Sequence, residues 1–366
     1  MFAENRKISL RQIQALLLLD CFGTAVLFLP AELVRSEGRA CWLTALVCGI
    51  AFAGISLLLT AVGRRQPDGT VVEWCRTAFG SILGNLVLLG LAAKLLFDGA
   101  VELRLFSEII CRSMLPATPV WVISLVILAA AGALAAQGME CRGRTAEVLF
   151  FFVAVPMLLI LTAVALSAEY GRVLPLEAPS LEGLKTGLPA LSIVFQGLVF
   201  LYFIFPDLKK PAGARKAVLW SSLLSAAAAG LLVFLCLAVY GENALGTKLL
   251  PAVQMMERVS FTGIFLTRQD VLLLWFWMAS VSIFLSGTLF FGSLLGVRMC
   301  RQEETKRKKW LGWVWLLLFA ASFFPENLSE AYELRLKAAP WFNTVYLLLL
   351  PFVLLLIGGK EGKKDV

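Results

Sequence analysis

Histidine is absent from this 366-residue sequence, and charged residues make up only 16% of it. Without imidazole the chain cannot build histidine-based nucleophile pairs or histidine metal sites. The eight cysteines are scattered and form no Cys-x-x-Cys pair, which favours a role as small apolar packing residues. Glycine-rich phosphate-binding loops are also missing from the sequence. We therefore expect no enzyme, no catalytic residues, no metal and no cofactor.

Apolar residues make up 59% of the sequence, and the mean hydropathy is +0.83. Soluble domains carry roughly 25% charged and about 45–50% apolar residues, so the chain is predicted to be a polytopic membrane protein. Eight charge-free windows are near the length needed to cross a bilayer: 41–63, 113–139, 148–168, 186–206, 217–241, 271–297, 310–325 and 338–359. Two further windows, 12–34 and 77–110, contain charges and complete an all-α fold of about ten transmembrane helices.

Lysine and arginine form short clusters between these windows, unlike the basic stripe that is typical of nucleic-acid binding. Grouping alternate loops places 21 of the 33 basic residues on the side of both termini and 10 on the other side. Loops that are rich in Lys and Arg are cytoplasmic as a rule. We therefore expect both termini in the cytoplasm, contact with membrane lipid and no nucleic-acid partner.

Two of the predicted helices are interrupted at corresponding places. Helix one has Cys21-Phe22-Gly23-Thr24 at its middle, and helix six has Phe195-Gln196-Gly197. In inverted-repeat transporters a discontinuous helix in each half marks a binding site near the middle of the membrane. The alternative is a glycine at a tight helix crossing, which is common in membrane proteins. The corresponding positions favour a five-plus-five inverted repeat in a single membrane domain.

The two repeats are predicted over residues 8–168 and 186–359, followed by a cytoplasmic tail over 360–366. A broken helix offers unpaired N–H groups at one half-helix and unpaired C=O groups at the other, so it suits a zwitterion such as an amino acid. The N–H end would take the carboxylate, and the C=O end the ammonium. Candidate ligand-binding residues at the breaks, with two small donors from helix eight, are Cys21, Phe22, Gly23, Thr24, Phe195, Gln196, Gly197, Ser280 and Ser282.

Charged residues inside the membrane are the other informative feature, because each costs roughly 2.5–3.5 kcal/mol at a helix centre on insertion scales. Asp20 lies one turn before Gly23, and Lys94 and Asp98 are four residues apart on helix three. One interpretation is a local ion pair between Lys94 and Asp98. The other has Lys94 reaching Asp20 across the bundle, in the place of a coupling cation beside the broken helix. Lys94 and Asp98 are therefore added to the ligand-binding candidates.

Six segments, in their order and spacing, resemble the spore germination permeases, the membrane-embedded B subunits of nutrient germinant receptors. They are Ile8-Ser9-Leu10-Arg11-Gln12, residues 23–30, Glu102-Leu103-Arg104 through Glu108, residues 205–210, residues 257–268 and Phe324-Pro325-Glu326-Asn327. That family looks like a branch of the amino acid/polyamine/organocation transporters. The charges at Asp20, Lys94 and Asp98 depart from the mostly uncharged residues that the resemblance leads us to expect.

The resemblance implies a nutrient site between broken helices one and six and helices three and eight. It also implies a large membrane subunit and a lipoprotein as partners, and the inner membrane of the spore as the location. We expect a transporter-like subunit that senses a small nutrient, with an amino acid as the first candidate. The alternatives are an autonomous amino acid or polyamine permease, and a structural subunit whose pocket no longer binds a ligand.

Overall fold

The structure is a computed structural model, and it describes residues 7–23, 25–257 and 269–357. Fourteen α-helices account for most of the described residues: α1 (Leu10–Cys21), α2 (Ala25–Glu37), α3 (Cys41–Arg65), α4 (Val71–Ser113), α5 (Val120–Gln137), α6 (Met139–Ser167), α7 (Leu181–Val194), α8 (Leu201–Ile204), α9 (Ala214–Gly246), α10 (Pro251–Glu257), α11 (Gln269–Met299), α12 (Arg307–Ala321), α13 (Leu328–Asn343) and α14 (Leu350–Ile357). The candidate Thr24, most of the segment 257–268 and the tail 360–366 lie outside the described residues.

The described helices cross the bundle ten times, as the sequence predicts. Eight helical stretches among them are long and apolar enough to span a membrane. One of these, Val26–Arg65, contains two crossings, because the chain turns at Gly38 with φ of 57° and α2 packs back against α3. The short α12, of 15 residues, supplies the remaining crossing. The protein is therefore a multi-pass integral membrane protein.

Both predicted interruptions are present. The first crossing consists of α1, which ends at Cys21, and α2, which begins at Ala25. The sixth consists of α7, which ends at Val194, a 3₁₀ segment over Phe195–Phe200 and the short α8. A 3₁₀ helix has fewer residues per turn and poorer hydrogen bonds than an α-helix, and such stretches often mark hinges or strain. The expected pair of discontinuous helices is confirmed.

The N-terminal segment closes one face of the bundle against the end of the sixth crossing. Ile8 N donates to Asp207 O at 2.7 Å, and Lys209 N donates to Ile8 O at 3.0 Å. On the same face, Arg298 at the end of α11 pairs with Glu73 at 3.1 Å. Glu73 in turn closes a capping box with Thr70 at the start of α4. This is the face that holds most of the lysine and arginine clusters.

We predict that this basic face is cytoplasmic. Cys300 is an exposed cysteine there, and Glu177 is exposed in the loop on the opposite face. A membrane-impermeant maleimide should therefore leave wild-type protein in intact cells unlabelled at Cys300. It should label a Cys300→Ser, Glu177→Cys variant.

Permeabilised cells provide the control, because Cys300 should then become labelled. Labelling of Cys300 in intact cells, with Glu177→Cys protected, would reverse the orientation.

Candidate functional site

The carbonyl groups released where α1 ends are bound by side chains of α11. Ser280 Oγ donates to Phe22 O at 2.9 Å and also contacts Leu19 O. Trp277 Nε1 donates to Gly23 O at 3.3 Å. Backbone groups that leave a helix inside a membrane need partners in the protein or in water. Of the two predicted serines, Ser280 thus lies at the break. Ser282, two residues further along the same helix, faces another direction and is partly exposed.

A buried arginine neutralises the charge next to the break. The guanidinium of Arg142, on α6, donates to both carboxylate oxygens of Asp20 at 3.0 Å. Its Nε lies 3.2 Å from Ser286 Oγ, and Ile283 O accepts a further bond at 3.3 Å. Phe200 and Phe291 lie over the cation, with their ring centroids 5.2 and 5.4 Å away. Arg142 therefore joins the first, fifth, sixth and eighth crossings at one point.

The expected contact between Lys94 and Asp20 is wrong. Asp20 is bound by Arg142, and Lys94 contacts Asp98 on its own helix, as the local interpretation has it. Lys94 Nζ also donates to Asn343 Oδ1 at 2.7 Å, and Asn343 Nδ2 donates to Ser192 O at 3.0 Å. This chain of polar contacts ties the third crossing to α13 and α7. Arg142, and not Lys94, is the cation at the break.

A second buried ion pair lies against Gly23. Arg335 of α13 and Glu102 of α4 are 2.7 Å apart, and their side chains are at most 3% exposed. A Cβ built on Gly23 would lie 2.6 Å from Glu102 Oε1. Glycine at this position therefore allows a carboxylate to approach the backbone where α2 begins, and the start of a helix favours negative charge.

The interruption of the sixth crossing is more closely packed. A Cβ built on Gly197 would lie 2.6 Å from Asp20 Cβ and 2.9 Å from Asp20 O, so the backbones of the two broken helices touch here. Phe195 is fully buried and stacks on Phe52 with ring centroids 5.3 Å apart. Gln196 is buried beside them, as is Cys21 at the end of α1, whereas Phe22 is only partly buried. The structure thus brings together the predicted residues of both breaks.

Two neighbouring spaces lie near Arg335, between α2, α7 and α13. The inner one is a cavity of about 20 Å³ that touches Arg335, Tyr332 and Glu32. The outer one is a groove of about 440 Å³ on the face opposite the N-terminal segment, and Lys185 is among its lining residues. Glu32, Ala190 and Leu336 line both spaces. The groove therefore adjoins the cavity that Arg335 lines.

Sequence reasoning missed Arg142 and Arg335 as site residues for the same reason. The charge-free windows start at 148 and 338, whereas the helices begin at Met139 and Leu328. The charge-free windows therefore place both arginines in loops. The uncompensated charge of Asp20 was the available signal that a buried cation was missing, because a charge in the membrane interior needs a partner.

Comparison with known sequences assigns the chain to a family. A family described as "Spore germination protein" matches residues 7–331. Spore germination protein YndE of Bacillus subtilis is 22% identical over 91% of this chain and 92% of its own length. Spore germination protein GerQB of Bacillus cereus is 22% identical over 84% of each chain.

Comparison with solved structures confirms the architecture. The crystal structure of MhsT in complex with L-phenylalanine superposes with a TM-score of 0.62, covering 95% of this chain and 97% of that one, at 12% sequence identity. At this identity the likeness shows the fold alone. It agrees with the ten-helix, five-plus-five inverted repeat that the sequence predicts.

We predict that Arg142 stabilises the fold through Asp20. Arg142→Met leaves a buried carboxylate without its partner, which typically costs about 3–5 kcal/mol, whereas Arg142→Met with Asp20→Leu removes both charges. The single variant should therefore lose more membrane abundance and melt at a lower temperature than the double variant. Measuring both quantities in detergent tests this.

Lys94→Met with Asp20→Leu is the control pair, and it should show no such rescue, because Lys94 does not contact Asp20. Equal stability of Arg142→Met and the Arg142→Met, Asp20→Leu variant would contradict the coupling.

We predict different effects for the two glycines at the breaks. Alanine at Gly197 would clash with the backbone of Asp20, so Gly197→Ala should lower membrane abundance. Alanine at Gly23 would meet only the end of the Glu102 side chain, which can move. Gly23→Ala should therefore keep near-normal abundance and change the response to ligand. Quantitative immunoblots and a ligand-response assay on the same membranes separate the two effects, and equal abundance losses would contradict the distinction.

Proposed function

The chain belongs to the spore germination protein family, and on that premise we propose that it is the transporter-like, nutrient-sensing subunit of a spore germinant receptor. The proposed ligand is a small nutrient of the amino acid class. It would bind at the break of the first crossing, against Phe22 and Gly23. Gln196 and Gly197 would close the site from the sixth crossing, and Ser280 from the eighth.

The observation that carries this proposal is the set of charges beside the break. Lys94, Asp98, Glu102 and Arg335 are all buried, and their formal charges sum to zero. Buried charges are expensive in a membrane and often mark ligand or ion pathways. A site with both signs and no net charge suits a zwitterion. The fold neighbour MhsT, which was solved with L-phenylalanine, adds support for an amino acid.

We propose a location and partners from the family. The protein would lie in the inner membrane of the spore with both termini in the cytoplasm. A large membrane subunit and a lipoprotein would assemble with it, as the resemblance to the B subunits of germinant receptors implies. It would act as a sensor and not as an enzyme, because binding at the break can shift the helix positions without any covalent step.

An autonomous amino acid permease is the second candidate function, and the likeness to MhsT over nearly the whole chain favours it. Sensing and transport can use one site and differ in whether the ligand crosses the membrane. The arginine at the Asp20 site bears on this choice. The guanidinium of Arg142 is part of the chain and cannot be exchanged. A transport cycle that depends on a mobile cation at Asp20 is therefore not available.

We predict that the protein responds to a nutrient without moving it. Spores that lack the protein should lose germination with the amino acids that trigger the wild type, and proteoliposomes that contain it should bind those amino acids but show no net uptake. Ser280→Ala removes a donor from the carbonyls of the break and should raise the half-maximal nutrient concentration about tenfold, which corresponds to about 1.4 kcal/mol.

Ser293→Ala is the matched control, because Ser293 lies on the same helix and bonds only within it, to Phe290 O at 2.7 Å. Saturable uptake driven by an ion gradient would favour the permease. Normal germination without the protein would refute the sensing role.

A further inference from the structure

The third crossing presents three charged residues on one face. Lys94, Asp98 and Glu102 are spaced four residues apart, so they lie along one side of α4. Arg335 of α13 faces the last of them across the bundle, and Asp98 also lies within electrostatic range of Arg335. The four side chains are almost completely excluded from solvent. Glu102, at one end of this face, also lies against Gly23 at the break of the first crossing.

We propose that the Glu102–Arg335 ion pair occupies the nutrient site of the ligand-free protein, and that Arg335 binds the nutrient carboxylate once the pair opens. Asp98 takes the nutrient ammonium in the same step. This rests on the proposed function, because it assigns the polar contacts of that site. Binding then replaces one internal ion pair with two pairs between protein and nutrient, and Glu102 keeps its position at the start of α2, which favours negative charge.

The nutrient carboxylate binds Arg335 because Glu102 already occupies the start of α2. A helix N-terminus attracts an anion, and Glu102 Oε1 lies against Gly23 at that position. A nutrient carboxylate there would meet a like charge at short distance, which is strongly unfavourable in a medium of low polarity. The nearby guanidinium of Arg335 is planar and can bind a carboxylate with two parallel hydrogen bonds. The orientation that simple helix dipoles suggest is therefore reversed.

Asp98 is suited to the ammonium because one of its oxygens is unused. Lys94 Nζ holds Oδ2, while Oδ1 is buried without a hydrogen-bond partner. A buried acceptor without a partner is unfavourable, and a bound donor removes that penalty. Lys94 is itself held by Asn343, so the second oxygen keeps its position. The unsatisfied atom therefore marks where a donor belongs.

Access to this site follows from the two spaces beside Arg335. The cavity of about 20 Å³ has room for one water molecule, but not for an amino acid. The adjoining groove of about 440 Å³ is within the usual size of a small-molecule site. An amino acid that passes from the groove to Arg335 must therefore separate α13 from α2 and α7. That separation is the movement that would report binding to the rest of the receptor.

The same charges determine which nutrients are accepted. A zwitterion adds no net charge to the neutral cluster, and it supplies a carboxylate for Arg335 and an ammonium for Asp98. A polyamine brings positive charge next to Lys94 and Arg335 and has no carboxylate, so it should be rejected. A neutral amino acid is the class that the site fits.

The test measures binding to the purified full-length protein by scintillation proximity or calorimetry. The probes are the twenty L-amino acids, then the amide and the N-acetyl derivative of each amino acid that binds, and putrescine. We expect the wild type to bind the amino acid about tenfold or more tightly than its amide, because the amide cannot form the ion pair with Arg335. N-acetylation should weaken binding in the same way, and putrescine should not bind.

Arg335→Gln alone strands Glu102, so the informative variant is Glu102→Gln with Arg335→Gln, which removes both charges. In this variant the preference for the acid over the amide should disappear, while the preference against the N-acetyl form remains. Asp98→Asn should have the opposite pattern. Arg104→Gln is the control, since Arg104 is also a buried arginine and pairs with Glu108 at 2.9 Å, while Glu108 keeps Arg112 as a second partner at 3.5 Å. This variant should keep both preferences.

The possible results separate this proposal from the one on which it rests. An unchanged preference for the acid in the Glu102→Gln, Arg335→Gln variant would overturn the role of Arg335, while the sensing function would stand. Loss of the preference in Arg104→Gln as well would attribute the effect to general distortion and would also overturn it. If none of the twenty amino acids binds the wild type, both proposals fail.

Discussion

The structure depends on one constraint: a helix interrupted inside a membrane must satisfy its freed polar groups and balance any charge beside them. At the first crossing this is done by side chains from other helices. Ser280 and Trp277 bind the released carbonyls, and Arg142 balances Asp20. The break therefore exists only in the assembled bundle, because its partners lie more than 100 residues away in the chain. The proposed binding site and the tertiary packing consequently use the same set of contacts.

Much of the fold could be predicted from the sequence because lipid imposes simple rules. Charge-free windows locate most crossings, and glycine-containing interruptions at corresponding places locate both breaks. The helix ends could not be obtained in this way. Arg142 and Arg335 lie inside helices whose start the hydropathy places too late in the sequence. A charged residue lowers the mean hydropathy of a window even when a partner neutralises its charge. Their partners are distant in sequence, so spacing alone cannot reveal that they are paired.

In the candidate site, contacts within one helix could be predicted from the sequence, whereas contacts between helices could not. Spacing on one helix correctly indicated the pair of Lys94 and Asp98, because residues four apart share a face. It could not indicate that Asp20 meets Arg142, since that contact depends on how α1 packs against α6. The two glycines also look equivalent in sequence, yet Gly23 faces a movable carboxylate and Gly197 faces a backbone. Only the packing distinguishes a place that can admit a ligand from one that holds two helices together.

The bridge between Ile8 and Leu208 has a mechanical consequence. Two backbone hydrogen bonds join the segment before α1 to the end of the sixth crossing. Gly197 and Asp20 hold the same two crossings together nearer the middle of the membrane. The halves of both broken helices on the basic face are thus joined at two points along their length. We expect them to tilt together as one rigid unit. A displacement that begins beside Arg335 would therefore move both helix halves together at the basic face. The two helices would not shift separately.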